Sequence, residues 1–235
     1  MSRMYKENRK SLNWMVGCRH DCVYCRPSFQ RQMMRQKNRC LKCYDYEPHA
    51  HLERLLKRPP KTVGDEFIFF PSSGDPAFAT RTEWEKAISY AEKYPNTTFL
   101  VQSKDPLLFS PYKFPNNVIL ATTVETNLVS FNIKECKYEY YSDISKAPYP
   151  IQRLGDFLKV KHKRKSITIE PILLFGNKFS SFIKPLHPEF VYVGYDNHNC
   201  KLPEPSLAET KLLIKELWKF TTVRVKSLRR AWYEA

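Results

Sequence analysis

Apolar positions fall into short runs separated by longer stretches of mixed spacing. Residues 12–16 (LNWMV) read as a short strand, and residues 66–72 (EFIFFPS) as a compact apolar one ending at Gly74-Asp75-Pro76. Residues 98–103, 117–124, 166–173, 190–195 and 222–225 repeat the signature of β-rich runs bounded by turn residues. Between them, residues 81–94 place Trp84, Ile88 and Ala91 on one helical face, with Thr82 as N-cap and Glu85 completing a capping box. Residues 207–218 form a second amphipathic helix. Strands separated by helices imply βα units and a parallel sheet. Six or seven units predict an α/β fold, a partial (β/α) barrel, because a full eight-fold ring usually needs about 250 residues. A doubly wound open sheet is the architectural alternative. No linker divides residues 1–235, so one domain is expected, with a basic Cys/His-containing insertion at about 30–60. Residues 134–150 are rich in Tyr and read as irregular.

Composition narrows the class. Hydrophobic residues make up 42% and charged residues 27%, enough for a packed core. No apolar run approaches a membrane span, and MSRMYKENRK lacks the apolar segment of a secretory signal. A cytoplasmic setting is therefore expected, where thiols stay reduced and the seven cysteines point to metal or catalysis. The net charge of +15 points to a polyanionic partner such as a nucleic acid. Basic runs at 31–42, 159–165 and 226–230 carry much of it. Tyr138, Tyr140, Tyr141 and Tyr149 offer rings on which bases stack.

Cys18, Cys22 and Cys25 stand in the order C-x3-C-x2-C. Three thiolates on one loop hold three irons of a [4Fe-4S] cluster and leave the fourth open to an outside ligand. A zinc site with His20 or Cys40 as fourth ligand is the competing reading. A second group, Cys40-x2-Cys43 followed by His49 and His51, has ligand types suited to zinc or a second metal centre. Two half-buried thiols beside a turn would give the same pattern. Cys136 and Cys200 are isolated and read as ordinary thiols.

GCRHDCVYC resembles the cluster loop of the radical S-adenosylmethionine (SAM) superfamily, in which an aromatic residue, here Tyr24, precedes the last cysteine. FIFFPSSGDPAF, FLVQSKDPLLF, NNVILATTVETN, SITIEPILL and PHAHLERL resemble segments of a narrower radical-SAM-like family common in phage genomes, whose substrate is unassigned. Spore photoproduct lyase is more distantly similar. The resemblance runs over residues 12–194. It implies a [4Fe-4S] cluster, SAM bound through its amino and carboxylate groups, and one-electron cleavage to a 5′-deoxyadenosyl radical. It also implies a flavodoxin- or ferredoxin-type electron donor and a protein partner encoded beside it.

Against that resemblance, Ser73, Gly74 and Asp75 occupy the turn that receives the SAM amino group, with Asp75 in place of a longer Glu. Tyr24 lies beside the cofactor. Lys104 ends a strand and suits a carboxylate or phosphate. Thr123, Glu125 and Glu170 suit ribose hydroxyls. Glu170 stands in an apolar run, where an unpaired charge would be costly, so SAM, an Arg or a structural hydrogen bond must satisfy it. Asn197 and His198 read as a surface loop. The expectation is a radical SAM enzyme acting on a nucleic acid or nucleotide. The alternatives are a photoproduct-lyase-like DNA repair enzyme and a non-enzymatic, zinc-stabilised nucleic-acid-binding protein.

Overall fold

The computed structural model describes residues 5–234. Its frame is a curled half-barrel of seven parallel strands. In chain order the strands are β1 (Asn8–Ser11), β2 (Met15–Val16), β3 (His49–Ala50), β4 (Phe67–Phe69), β5 (Phe99–Gln102), β6 (Val118–Thr123), β7 (Lys165–Ile169), β8 (Phe190–Val193) and β9 (Thr222–Val225). The half-barrel runs β1-β4-β5-β6-β7-β8-β9, while β2 and β3 form a separate antiparallel pair. Three longer helices cross between strands: α1 (Arg81–Lys93), α2 (Pro150–Lys159) and α3 (Leu207–Trp218). This is the partial barrel that the strand–helix alternation predicts.

Strand pleating divides the core. Ile68, Phe99, Val101, Val118, Leu120, Ile167, Ile169, Val191 and Val193 pack against the helix face that carries Trp84, Leu154, Phe157, Leu213 and Leu217. The alternate residues Phe67, Phe69, Leu100, Ile119, Ala121, Phe190 and Tyr192 form the inner cluster with Tyr5. Burial on both faces explains why these strands read as continuous apolar runs. Tyr5 stacks on Tyr192 at 4.1 Å, and its hydroxyl donates to Gln102 Oε1 at 3.1 Å. It plugs the inside of the half-barrel.

The first barrel strand is not the predicted one. Residues 8–11 are polar because β1 is an edge strand with Arg9 and Lys10 facing out. The apolar residues Met15 and Val16 instead pair with β3 across the small sheet. Inside the predicted irregular stretch, Tyr141–Ile144 makes one helical turn.

The α1 cap is also displaced. Residues 80–85 contain two overlapping Thr-x-x-Glu registers. The structure uses Thr80, whose hydroxyl accepts from Glu83 N at 3.4 Å while Glu83 Oε2 accepts from Thr80 N at 2.7 Å. Thr82 and Glu85 lie exposed on the outer face. Replacing Thr80 by Ala is predicted to lower stability in a urea titration by about 1 kcal/mol. Thr82→Ala should stay within about 0.5 kcal/mol of the parent. The reverse order would restore the predicted register.

Candidate functional site

The C-terminal ends of the strands open onto one cavity of about 1870 Å³. A site for a single drug-sized ligand spans roughly 300–1,000 Å³, so this one has room for two molecules. Its wall takes Cys18, Cys22, Tyr24 and Cys25 from the loop after β2, and Ser73, Gly74 and Asp75 from the turn after β4. Lys104 follows β5, Thr123 ends β6, Glu170 follows β7, Asn197 and His198 follow β8, and Lys226 follows β9. Strand ends of open α/β sheets are where ligands bind. Asn197 and His198 are exposed on the loop after β8, as expected, and that loop borders the cavity.

The cysteine loop is fixed by backbone contacts. Gly17 has φ +87°, and a Cβ there would lie 2.4 Å from the Glu47 carbonyl. A Cβ on Gly74 would lie 2.8 Å from Gly17 N and O. The two glycines sit back to back: Gly17 N donates to Ser73 O and Asp75 N donates to Gly17 O, both at 3.1 Å. The small size of Gly74 thus serves a close approach to Gly17. Asn13 Oδ1 accepts from Ser72 N at 2.7 Å and Ser73 N at 3.1 Å, completing the clamp.

Beyond Gly17 the three thiols face the cavity. Cys22 lies 3.0 Å from Ser145 Oγ. The closeness of the Cys22 and Cys25 side chains draws Cys22 below the usual thiol range and, with burial, pushes Cys25 above it. Burial, reinforced by Asp75, pushes Cys18 up.

Asp75 is a hub. Oδ1 accepts from Ser103 Oγ at 2.6 Å and Ala77 N at 2.9 Å, and Oδ2 accepts from Lys104 N at 2.8 Å. His20 Nε2 stands 3.2 Å from Oδ2, at ion-pair distance but out of line for a hydrogen bond. Burial raises the Asp75 carboxyl, yet His20 and these donors hold it below the ordinary carboxylate range. The carboxylate joins the β4 turn, the end of β5 and the cysteine loop.

Glu125 stands behind the cavity wall, fully buried. Tyr24 Oη donates to its Oε1 at 2.6 Å and Arg153 to its Oε2 at 2.8 Å; Lys104 Nζ and Tyr141 Oη complete the set. Arg153 also donates to Thr123 O and Tyr141 Oη. Burial raises the Glu125 carboxyl, but the Arg153 and Lys104 charges hold it well below the carboxylate range. This geometry replaces the expected ribose contact for Glu125. It also commits the Tyr24 hydroxyl and the Lys104 ammonium, which burial opposes and Glu125 keeps charged. Thr123 Oγ1 accepts from Gln102 Nε2 at 3.0 Å.

Glu170 finds its partner in Lys226, whose Nζ reaches both carboxylate oxygens at 2.7 and 2.5 Å. Burial nevertheless raises its carboxyl above the usual value. The sequence marks Lys226 only as the first residue of a basic run, and does not mark Ser145, Asn13 or Arg153 as site residues. Arg153 left a trace there: it shares the buried face of α2 with Pro150, Leu154 and Phe157, where a charge demands a partner. The others act through long-range contacts with no local signal.

The three basic runs do not share one face. Arg31 and Arg35 of the first, and Lys226 of the third, line the cavity. Residues 159–165 lead into the start of β7, at the opposite end of the strands. Tyr138 and Tyr141 are core residues, which leaves Tyr140 and Tyr149 exposed.

Cys40, Cys43, His49 and His51 come together elsewhere, with their ligand atoms within 4.8 Å of one another. Cys40 therefore does not join the Cys18 loop. Neither Cys136 nor Cys200 lines the cavity.

Glu125→Gln strands Arg153 and Lys104 as buried cations and is predicted to cost about 3–5 kcal/mol at pH 7. In the parent, this contribution is fully present above the ordinary carboxylate pKa of about 4.3. It is lost as pH falls from there towards the depressed folded value. Urea titrations across that acid range should show a steeper loss for the parent than for the variant; equal stability at pH 7 would contradict the assignment. No protein-family model matches this chain, and no curated protein matches it, so the reading of the site rests on its own chemistry.

Proposed function

We propose that the chain is an iron–sulfur enzyme that cleaves SAM and acts on a polyanionic substrate, a nucleic acid or nucleotide. The observation that carries this reading is the convergence of Cys18, Cys22 and Cys25 on one cavity that no other thiol among the described residues lines. Three thiolates fit three corners of a [4Fe-4S] cluster and leave one iron for SAM. A zinc site that takes Cys40 as fourth ligand is less well supported, because Cys40 belongs to another group; Cys18, His20 and Asp75 do lie close enough to share one metal ion, and that arrangement is the competing reading of this wall. Held by Cys18, Cys22 and Cys25 and reduced by a flavodoxin- or ferredoxin-type donor, a [4Fe-4S] cluster would supply the one electron needed to cleave SAM to methionine and a 5′-deoxyadenosyl radical able to take a hydrogen atom from the substrate.

The protein's part is placement and shielding. Gly17 and Gly74 fix the cysteine loop against the β4 turn. Ser73 and Thr123 present small polar groups along the wall. Asp75 adds negative charge to the wall, though its oxygens are held by Ser103, Ala77 and Lys104 N and face His20, and the Lys226–Glu170 pair adds a cation and a carboxylate. Glu125, Lys104 and Arg153 keep the wall rigid from behind.

Charge at the mouth supports the substrate class. Lys6, Lys10, Arg31 and Arg35 line the cavity, lie exposed and have no ion-pair partner among the described residues. Unpaired cations focused on a cleft attract phosphate. A photoproduct-lyase-like reaction needs a cysteine or tyrosine to return hydrogen: Cys136 and Cys200 lie off the cavity, whereas Tyr24, Tyr46, Tyr192 and Tyr195 line it and keep that alternative open. No helix among the described residues is long and apolar enough to cross a membrane.

Purified anaerobically, the protein is predicted to show the broad absorbance of a cluster near about 400 nm and about four irons per chain. With dithionite and SAM it should release 5′-deoxyadenosine, and Cys22→Ala should lose both iron and product. Binding of an oligonucleotide should weaken steeply as salt rises. Zinc at Cys18, Cys22 and Cys25 with no iron would overturn the cluster reading. Affinity that stays flat with salt would overturn the substrate class.

A further inference from the structure

We propose that Cys40, Cys43, His49 and His51 form a second metal site, a closed tetrahedral zinc centre whose task is to hold the floor of the cysteine loop. The proposal is independent of what Cys18, Cys22 and Cys25 bind.

The donor set is assembled from two local structures. Cys40 caps the turn Leu41–Tyr44, and its sulfur accepts from Cys43 N at 3.4 Å, which places both thiols on one side of the turn. His49 and His51 are two apart on an extended segment and so point the same way. His51 N donates to Trp14 O at 2.6 Å, continuing the pairing of β3 with β2. Cys43 Sγ lies 3.4 Å from His49 Nε2 and 3.1 Å from His51 Nε2, and Cys40 Sγ lies 3.3 Å from His49 Nε2. In a tetrahedron with zinc–sulfur bonds of about 2.3 Å and zinc–nitrogen bonds of about 2.0 Å, donor atoms stand roughly 3.3–3.8 Å apart. The separations among Cys43, His49 and His51, and of Cys40 from His49, run from 2.9 to 3.4 Å, at or just below that spacing, and all four donors lie within 4.8 Å of one another.

The histidines are oriented for a cation. His49 Nδ1 faces Glu47 O at 2.7 Å, and His51 Nδ1 faces Glu53 Oε1 at 2.9 Å. With Nδ1 of each ring turned to an acceptor, Nε2 is the nitrogen left for a metal, its lone pair directed to the shared centre. Those two lone pairs point at each other across 2.9 Å. A cation between them turns repulsion into coordination, and the Nδ1 contacts are the outer partners that metal-bound histidines generally have. Two thiolates and two imidazoles with no carboxylate favour zinc over magnesium or calcium. A two-iron cluster would separate the cysteines from the histidines, whereas here Cys43 touches both rings.

Residues 44–48, between the second and third ligands, underlie the other site. Cys18 N donates to Tyr46 O at 3.4 Å, and Gly17 fits against Glu47 and Pro48 with no room for a Cβ. The metal therefore pins the surface on which the cysteine loop rests.

Metal analysis of the purified protein is expected to give about one zinc per chain. A variant with Cys18, Cys22 and Cys25 all changed to Ser should keep that zinc, and Cys43→Ser should lose it. Because Cys43→Ser can fail to fold, wild-type protein stripped by a chelator is titrated with cobalt(II). The visible bands of tetrahedral cobalt and a thiolate charge-transfer band should saturate at one equivalent. The proposal is overturned if the folded protein yields neither zinc nor these bands. It is equally overturned if zinc disappears with the Cys18, Cys22 and Cys25 substitutions, which places the metal at the other site. Retained zinc in a protein that never takes up iron would refute the cluster reading alone.

Discussion

The contact between the backbones of Gly17 and Gly74 is the constraint on which the site depends. Neither residue can carry a Cβ without collision. The approach lets two backbone hydrogen bonds join the segment after β2 to the turn after β4. Three thiols are thereby hung over the open end of a sheet to which their own strand does not belong. From this join the other placements follow. Asp75 reaches the end of β5, His20 reaches Asp75, and Ser145 meets Cys22.

Behind that wall, a buried set of charges takes over the role that apolar packing plays in the rest of the barrel. Glu125 is flanked by Arg153 and Lys104 and receives two tyrosine hydroxyls. A single buried carboxylate would be costly, and a pair only breaks even; a network in which each group has several partners is rigid. Rigidity matters where several loops must present groups to one point. The cost is that Tyr24, Lys104 and Glu125 are occupied with one another, while Ser73, Thr123 and the Lys226–Glu170 pair are neighbouring polar groups on the cavity wall.

Much of the barrel was legible because its strands are buried on both faces and read as unbroken apolar runs. The exception, β1, is a polar edge strand whose pairing with β4 leaves no periodic mark. The displaced cap of α1 has a similar cause: two Thr-x-x-Glu registers overlap, and packing of Trp84 selects one. Spacing marked the cysteine loop and the later Cys and His pairs as groups, but left open whether Cys40 joins the first or the second, which the fold decides. What spacing could not convey is partnership. The charge of Glu170 demanded a partner, but nothing local pointed to Lys226, fifty-six residues away. The separation of the basic run at 159–165 from the cavity likewise follows from strand direction, which net charge does not encode.

The central claim is that the iron left without a cysteine ligand binds SAM, and the electron paramagnetic resonance spectrum of the dithionite-reduced, cluster-loaded protein tests it most directly. If the proposed cluster forms, adding SAM is predicted to shift the signal of the reduced cluster, because the cofactor would enter the coordination sphere of one iron. The same addition to a sample that carries no SAM-binding iron leaves the spectrum unchanged. An unchanged spectrum in fully loaded protein at saturating SAM would contradict the account.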